Sequence, residues 1–282
     1  MNILVKLYNF LTTTAEVPKT FGIYHFICVL SIILISVFVC RKFKDCSDEV
    51  LRRLVACVWG IILALEIYKQ LIHGFSVDEG KFVWDYAWYI FPFQFCSSPL
   101  YILPFIAFSK NEKLRDACAA YMITFSLFAG LAVFCYPNDV FTETVGINFQ
   151  TMVHHGSQIL MGALLAVRYK DRLDKRLFTG GALVFVAMVF IAMALNVGVY
   201  HMFVRVGIDE TFNMFFISPY YDCTLPILST VYQLVPYAVF VCGYFFGFIL
   251  CALLVYSLII GITHCVKRFA KARITDEIAV EK

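Results

Sequence analysis

Charge is what this sequence has least of. Only 15% of its 282 residues are Asp, Glu, Lys or Arg, against roughly a quarter in soluble domains, so a water-facing surface is excluded for most of the chain. The short signatures of several chemistries are missing too. None of the eleven cysteines forms a CxxC pair, which argues against a zinc or thioredoxin-like site. There is no phosphate-binding glycine loop, no GxSxG elbow, no HExxH helix and no nucleic-acid signature. No metal, no cofactor and no nucleic-acid partner are therefore expected. No cleavable leader is evident, because the first strongly apolar run begins near Phe21 and the residues before it are mixed. Nor is there a soluble domain, a low-complexity linker or an internal repeat.

What fills the chain is hydrophobic material, 61% of all residues, in blocks long enough to cross a ~30 Å hydrocarbon core as helices. The spans read as 21–40, 54–73, 83–108, 115–135, 148–168, 177–204 and 234–262. All are expected to be helices, since backbone groups in lipid must find partners within their own segment. Lys and Arg set the direction. Arg41, Lys42, Lys44, Arg52 and Arg53 lie between the first two spans, and Lys81 alone follows the second. Lys110, Lys113 and Arg115 come next, then a stretch around Pro137 to Ile147 with none. Arg168, Lys170, Arg172, Lys175 and Arg176 follow; Arg205 alone precedes the last span, and Lys267, Arg268, Lys271, Arg273 and Lys282 end the chain. Rich and poor loops alternate at every step. The expected fold is an all-α membrane protein, a bundle of about seven transmembrane helices, with its N-terminus outside and its C-terminus cytoplasmic. Residues 1–20 would form an outer segment, suited to an interfacial helix; 21–264 the bundle; 265–282 a basic cytoplasmic tail. The expected location is the cell membrane, multi-pass, with membrane lipids as partners.

Polar residues inside the spans carry the information about function. Glu66, Lys69, Gln70 and His73 share one face of the second span. They read either as a self-neutralising packing pair or as one wall of a polar cavity. In the third span Gln94, Ser97, Ser98 and Tyr101 make one polar face, and Asp85, Tyr89, Pro92 and Cys96 another. Pro92 and Pro99 loosen that helix at mid-membrane. Span five brings Thr151, His154, His155 and Gln158, with Gly156 allowing close helix approach. Asn196 of span six falls in the same outer layer. Four helices thus point to a cavity that opens outward, lined by Glu66, Lys69, Gln70, Gln94, Ser97, Gln158, Asn196 and Asn213. Six of the cysteines lie inside apolar blocks, where Cys behaves as a small hydrophobe. Cys135 and Cys223 both fall on the outer side, where a disulfide is one option.

Several short runs resemble the bacterial YwaF-like integral membrane proteins, which are distantly similar to the vertebrate transmembrane protein 164 family. They are Phe91-Pro92-Phe93-Gln94-Phe95-Cys96, the outer Pro137, His155-Gly156, Asn213-Met214-Phe215-Phe216-Ile217-Ser218-Pro219, and Pro236-Tyr237. The vertebrate relatives are phospholipid acyltransferases that use an intramembrane cysteine and histidine. The resemblance therefore implies a lipid-facing site with a phospholipid or acyl-chain substrate. The relatives place their cysteine directly after the proline and a histidine next, where this chain has Phe93 and Gln94. The nucleophile expected here is Cys96, with His155 as its base and Gln94, Ser97 or Asn213 at the oxyanion. On straight helices His155 would stand about two turns, ~10 Å, above Cys96. The alternatives are a small-molecule or ion transporter or binding protein using Glu66, Lys69 and His155, and a non-catalytic membrane assembly partner.

Overall fold

The computed structural model describes residues 3–280, with side chains described as far as Arg268. Lys282 and the side chains of Lys271 and Arg273 lie outside the described residues. The chain is helical almost throughout, and four helices are long and apolar enough to cross a membrane. These are α2 (Ile23–Phe43), the Glu112–Cys135 helix, α8 (Lys175–Val206) and the part of α10 from Tyr237 to Arg268. The second of them is three pieces, α5 (Glu112–Tyr121), a π turn at Met122–Ser126 and α6 (Leu127–Cys135). α10 continues without a break to Val280, past the boundary at 264 that composition suggested.

Two further helices have the length but not the apolar composition. α3 (Asp48–Gly74) and α7 (Val145–Arg168) have 27 and 24 residues, or ~40 and ~36 Å at the usual rise. Both carry buried polar side chains, Glu66 on α3 and Asn148, Gln150, His154, His155 and Gln158 on α7. Their position explains how this is tolerated. α7 packs against α2, α3, α6 and the π turn, so its polar face meets protein. The Glu112–Cys135 helix is central as well, with 67% of its apolar window buried, whereas α2 and α10 are each only 11% buried and turn apolar side chains outward.

Glycines set the closest helix contacts. A Cβ at Gly130 would lie 2.8 Å from the His155 carbonyl oxygen, and one at Gly162 would lie 2.8 Å from Leu127 Cβ. A Cβ at Gly181 would come within 2.9 Å of the Ala120 backbone. No larger residue fits at these spacings.

The third apolar block departs from the expectation of a helix over 83–108. α3 instead ends in a β-hairpin, β1 (Phe75–Asp78) paired with β2 (Lys81–Trp84). Glu79 and Gly80 turn it with φ of 45° and 76°, as a two-residue primed turn requires. From Asp85 the chain runs back down beside α3 as single 3₁₀ turns at Trp88–Ile90 and Phe95–Ser97, and only α4 (Pro99–Phe108) is α-helical. Pro92 has no N–H to continue a ladder, and Pro99 sits at the first turn of α4, where a missing N–H costs nothing. The two polar faces assigned to this segment therefore do not exist as helical faces. It still follows α3 along its length: Arg52 Nε donates to the Ala107 carbonyl at 2.7 Å, Trp59 Nε1 to Leu100 at 3.0 Å, and Gln70 Nε2 to Ile90 at 3.1 Å.

α1 (Ile3–Leu11) buries Val5 and leaves Ile3, Leu4, Leu7 and Phe10 exposed. It is tied to α3 by the Tyr8 hydroxyl, which donates to the Phe75 carbonyl, and to the start of α7 by a bridge between Thr14 and Thr144. After α8, which ends on Gly207 in the left-handed region, a non-helical stretch containing Asn213 leads to the short α9 (Leu228–Leu234) and then α10.

Candidate functional site

An unwound backbone packed inside a helical bundle needs partners for its polar groups, and here side chains supply them. The Cys96 carbonyl accepts from His154 Nε2 at 3.0 Å and from Gln158 Nε2. The Pro92 carbonyl accepts from the Tyr101 hydroxyl at 2.7 Å. Gln94 reaches sideways: Nε2 donates to the Asn213 carbonyl at 3.0 Å, and Oε1 accepts from Phe215 N at 2.9 Å. Asn196, on α8, brackets the next residue, donating to the Met214 carbonyl at 3.0 Å and accepting from its N–H at 2.7 Å. Asn213 Oδ1 accepts from Ser218 N at 2.8 Å, and Nδ2 donates to the Asp222 carbonyl at 3.0 Å.

Three amides thus hold the 213–218 stretch in the bundle, with Phe212, Met214, Phe215 and Ile217 fully buried. Phe215 and Phe216 both have positive φ, 58° and 56°, a strained conformation for aromatic residues that persists only where the surroundings over-determine it. Gln94 and Asn213 thus have a structural part as well as the one expected of them: the oxygen and an N–H of each amide are engaged with backbone. Ser97 is buried next to Cys96.

The acidic residue of α3 lies in the same interior. Lys69 Nζ is 2.8 Å from Glu66 Oε1. Gln70 Nε2 donates to that same oxygen at 2.7 Å, and the Tyr86 hydroxyl donates to Gln70 Oε1. Glu66 Oε2 is buried without a hydrogen-bond partner among the described residues. Both Glu66 and Lys69 are within electrostatic reach of Cys96, and Lys69 also of His154 and His155.

The two histidines are each half satisfied. His155 Nδ1 is 2.8 Å from the Thr151 carbonyl. A carbonyl only accepts, so Nδ1 carries the proton and Nε2 keeps its lone pair. His154 is the converse, with its proton on Nε2 toward Cys96 and a bare Nδ1. Those two bare nitrogens, and Gln158 Oε1, are buried without partners among the described residues. The rings are 5.7 Å apart, centroid to centroid. His25, which sequence reasoning did not single out, shows the contrast: Nδ1 accepts from Phe21 N at 3.1 Å, and Nε2 meets the Phe134 carbonyl at 2.9 Å. That histidine is a structural tie, whereas His154 and His155 each keep a free acceptor.

With the 85–98 backbone unwound, it is His154 rather than His155 whose ring nitrogen lies within hydrogen-bond distance of the Cys96 residue, at its carbonyl oxygen. Phe93, in the position where the relatives carry cysteine, is buried between Tyr101 and Phe215, with ring centroids 5.1 and 5.9 Å away. Cys135 and Cys223 are free thiols, one exposed and one buried. Among the described residues no group of three or more His, Cys, Asp or Glu side chains is placed to hold a metal ion. Outside this cluster, an apolar groove of about 510 Å³ lies between α2, α3 and α7, lined by Cys28, Ile62, Phe134 and Met152 among others.

Helices long and apolar enough to cross a membrane, packed around buried histidine, glutamate and amide side chains, are those of a membrane protein. Within that class the assignment is specific. The model of the TMEM164 family matches residues 18–259, and the chain belongs to that family. No curated protein and no solved structure matches the chain.

Proposed function

We propose that this chain is a lipid acyltransferase of the cell membrane. It belongs to the bacterial YwaF-like branch and crosses the membrane seven times, with its N-terminus outside and its C-terminus cytoplasmic. α2, α3, the broken 85–108 segment, the Glu112–Cys135 helix, α7, α8 and α10 are the seven passes. The alternation of Lys and Arg between loops supports both their number and their direction.

One observation carries the catalytic reading. Two buried imidazoles with bare nitrogens stand on one turn of α7, and one of them holds the carbonyl of Cys96. Cys96, half-buried, is the nucleophile. His155 is the base, its tautomer fixed by Thr151, and takes the thiol proton on Nε2. His154 and Gln158 hold the turn that presents Cys96. Glu66, Lys69, Gln70 and Ser97 line the polar approach, which opens toward the outside. Gln94, Asn196 and Asn213 form its wall by fixing the 213–218 stretch. The substrates are a phospholipid acyl donor and a lipid acceptor.

Reconstitution in liposomes tests this. With a phospholipid bearing a labelled acyl chain and a lysophospholipid acceptor, the wild type should move label to the acceptor. Cys96→Ala and His155→Ala should each lose on the order of 10²-fold or more. Undiminished transfer in Cys96→Ala would end the covalent route. The broken third pass favours one second reading, since transporters line their sites with interrupted helices. Flux of a solute across the liposome without any acyl transfer would select it.

A further inference from the structure

Gln94 and Asn213 each already give an amide N–H to backbone, which leaves Ser97 as the oxyanion candidate from the sequence without a backbone partner among the described residues. α10 offers a group that the sequence did not bring forward. Most of α10 faces outward, but Phe240, Tyr244, Ala252 and Tyr256 form a buried stripe at four-residue spacing. Within it the Tyr244 ring is 4.5 Å from Phe248, centroid to centroid, and Phe248 is 4.8 Å from Phe95, the residue before Cys96. Tyr244 is 2% exposed, and its hydroxyl has no hydrogen-bond partner among the described residues. The phenol is within electrostatic reach of Cys96 and of Tyr121, whose own hydroxyl donates to Ser98 Oγ at 2.8 Å. Tyr256, three turns further along the same stripe, differs. Its hydroxyl donates to the Asp174 carbonyl at 2.9 Å and is a structural tie.

A buried hydroxyl without a partner is destabilising, and such groups are retained where function needs them. We propose that the Tyr244 hydroxyl is a catalytic residue of the acyl transfer, donating to the oxyanion that forms at Cys96; this rests on the acyl-transfer reading above. The thiolate adds to the donor lipid's ester carbon. A C–S bond forms, and the carbonyl π pair moves onto oxygen, where Tyr244 O–H donates to it. Collapse restores C=O, breaks the C–O bond and expels the lipid alkoxide, which takes the proton held by His155. The acceptor hydroxyl then repeats the sequence in reverse and frees the thiol.

The test is Tyr244→Phe in the liposome assay, beside wild type and Tyr256→Phe. Because no hydrogen bond is lost in the resting protein, Tyr244→Phe should unfold at the wild-type temperature or above it. Its kcat should fall 10²–10³-fold, as for removal of a single oxyanion donor, with KM for the donor lipid little changed. Tyr256→Phe should keep its activity. Transfer within about threefold of wild type in Tyr244→Phe overturns the inference. So does a lower unfolding temperature or failure to fold, which would make the hydroxyl structural. No transfer by the wild type removes the acyl-transfer reading itself, and this inference with it.

Discussion

Amide side chains do in this protein what main-chain ladders do elsewhere. Gln94 and Asn196 were legible as interior polar residues, because polar groups in an apolar span seldom face lipid, whereas Asn213 lies between the expected spans. Their purpose was not legible, because it depends on a backbone 119 residues away from Gln94. Each amide pairs with an N–H and a C=O of the non-helical stretch, the pattern of a short piece of sheet. Gln94→Ala would strand the Phe215 N–H and the Asn213 carbonyl in the interior. At about 1–3 kcal/mol for each of the two stranded groups, it should destabilise the protein by about 2–6 kcal/mol, and Asn196→Ala by a similar amount. Denaturation in detergent micelles measures this; a change below about 0.5 kcal/mol would mean that the clamp is not holding the stretch. The histidines teach a related lesson. His25, His154 and His155 look alike in sequence, and only the groups facing each ring separate the doubly satisfied His25 from the other two.

At the scale of elements, long periodic or continuously apolar segments were readable and interrupted ones were not. α2, α5 with α6, α7 and α8 begin and end within a few residues of the expected spans. The 83–108 block failed because its composition is that of a helix while its prolines forbid one in the outer half. Asp78-Glu79-Gly80-Lys81 was the overlooked signal, a two-residue turn between apolar strands. The helix contacts give a prediction of their own. Gly162 lies 2.9 Å, from a built Cβ, to the Met122 carbonyl at the head of the π turn. Gly162→Ala should therefore force α7 away from the Glu112–Cys135 helix and cost about 1–3 kcal/mol. Gly198 on α8 has nothing within 4 Å of such a Cβ, so Gly198→Ala should be neutral or gain up to about 1 kcal/mol of helix propensity. Thermal unfolding of both variants reads the contrast, and equal effects would deny that α6 and α7 meet at this glycine.

For the whole molecule, α2, α8 and α10 turn most of their apolar side chains outward, and the buried polar cluster lies between α3, the broken segment and α7, with Tyr244 of α10 buried beside it. Overall class followed from composition alone, since 15% charge cannot clothe a soluble protein of this size. The proposed direction rests on the Lys and Arg of the loops. Reporter fusions after Lys44, Lys113 and Lys170 should read cytoplasmic, and those after Glu79, Asp139 and Asp222 external; one reversal would break the seven-pass arrangement. The central claim is that the buried cluster on α7 serves Cys96, and trapping the acyl-enzyme tests it most directly. Wild-type protein in liposomes with a clickable-acyl phospholipid, quenched in acid and digested, should carry a hydroxylamine-labile acyl group on the peptide containing Cys96. The same label should vanish in Cys96→Ala and in His155→Ala. Label on another cysteine, or label unchanged in Cys96→Ala, would contradict the account.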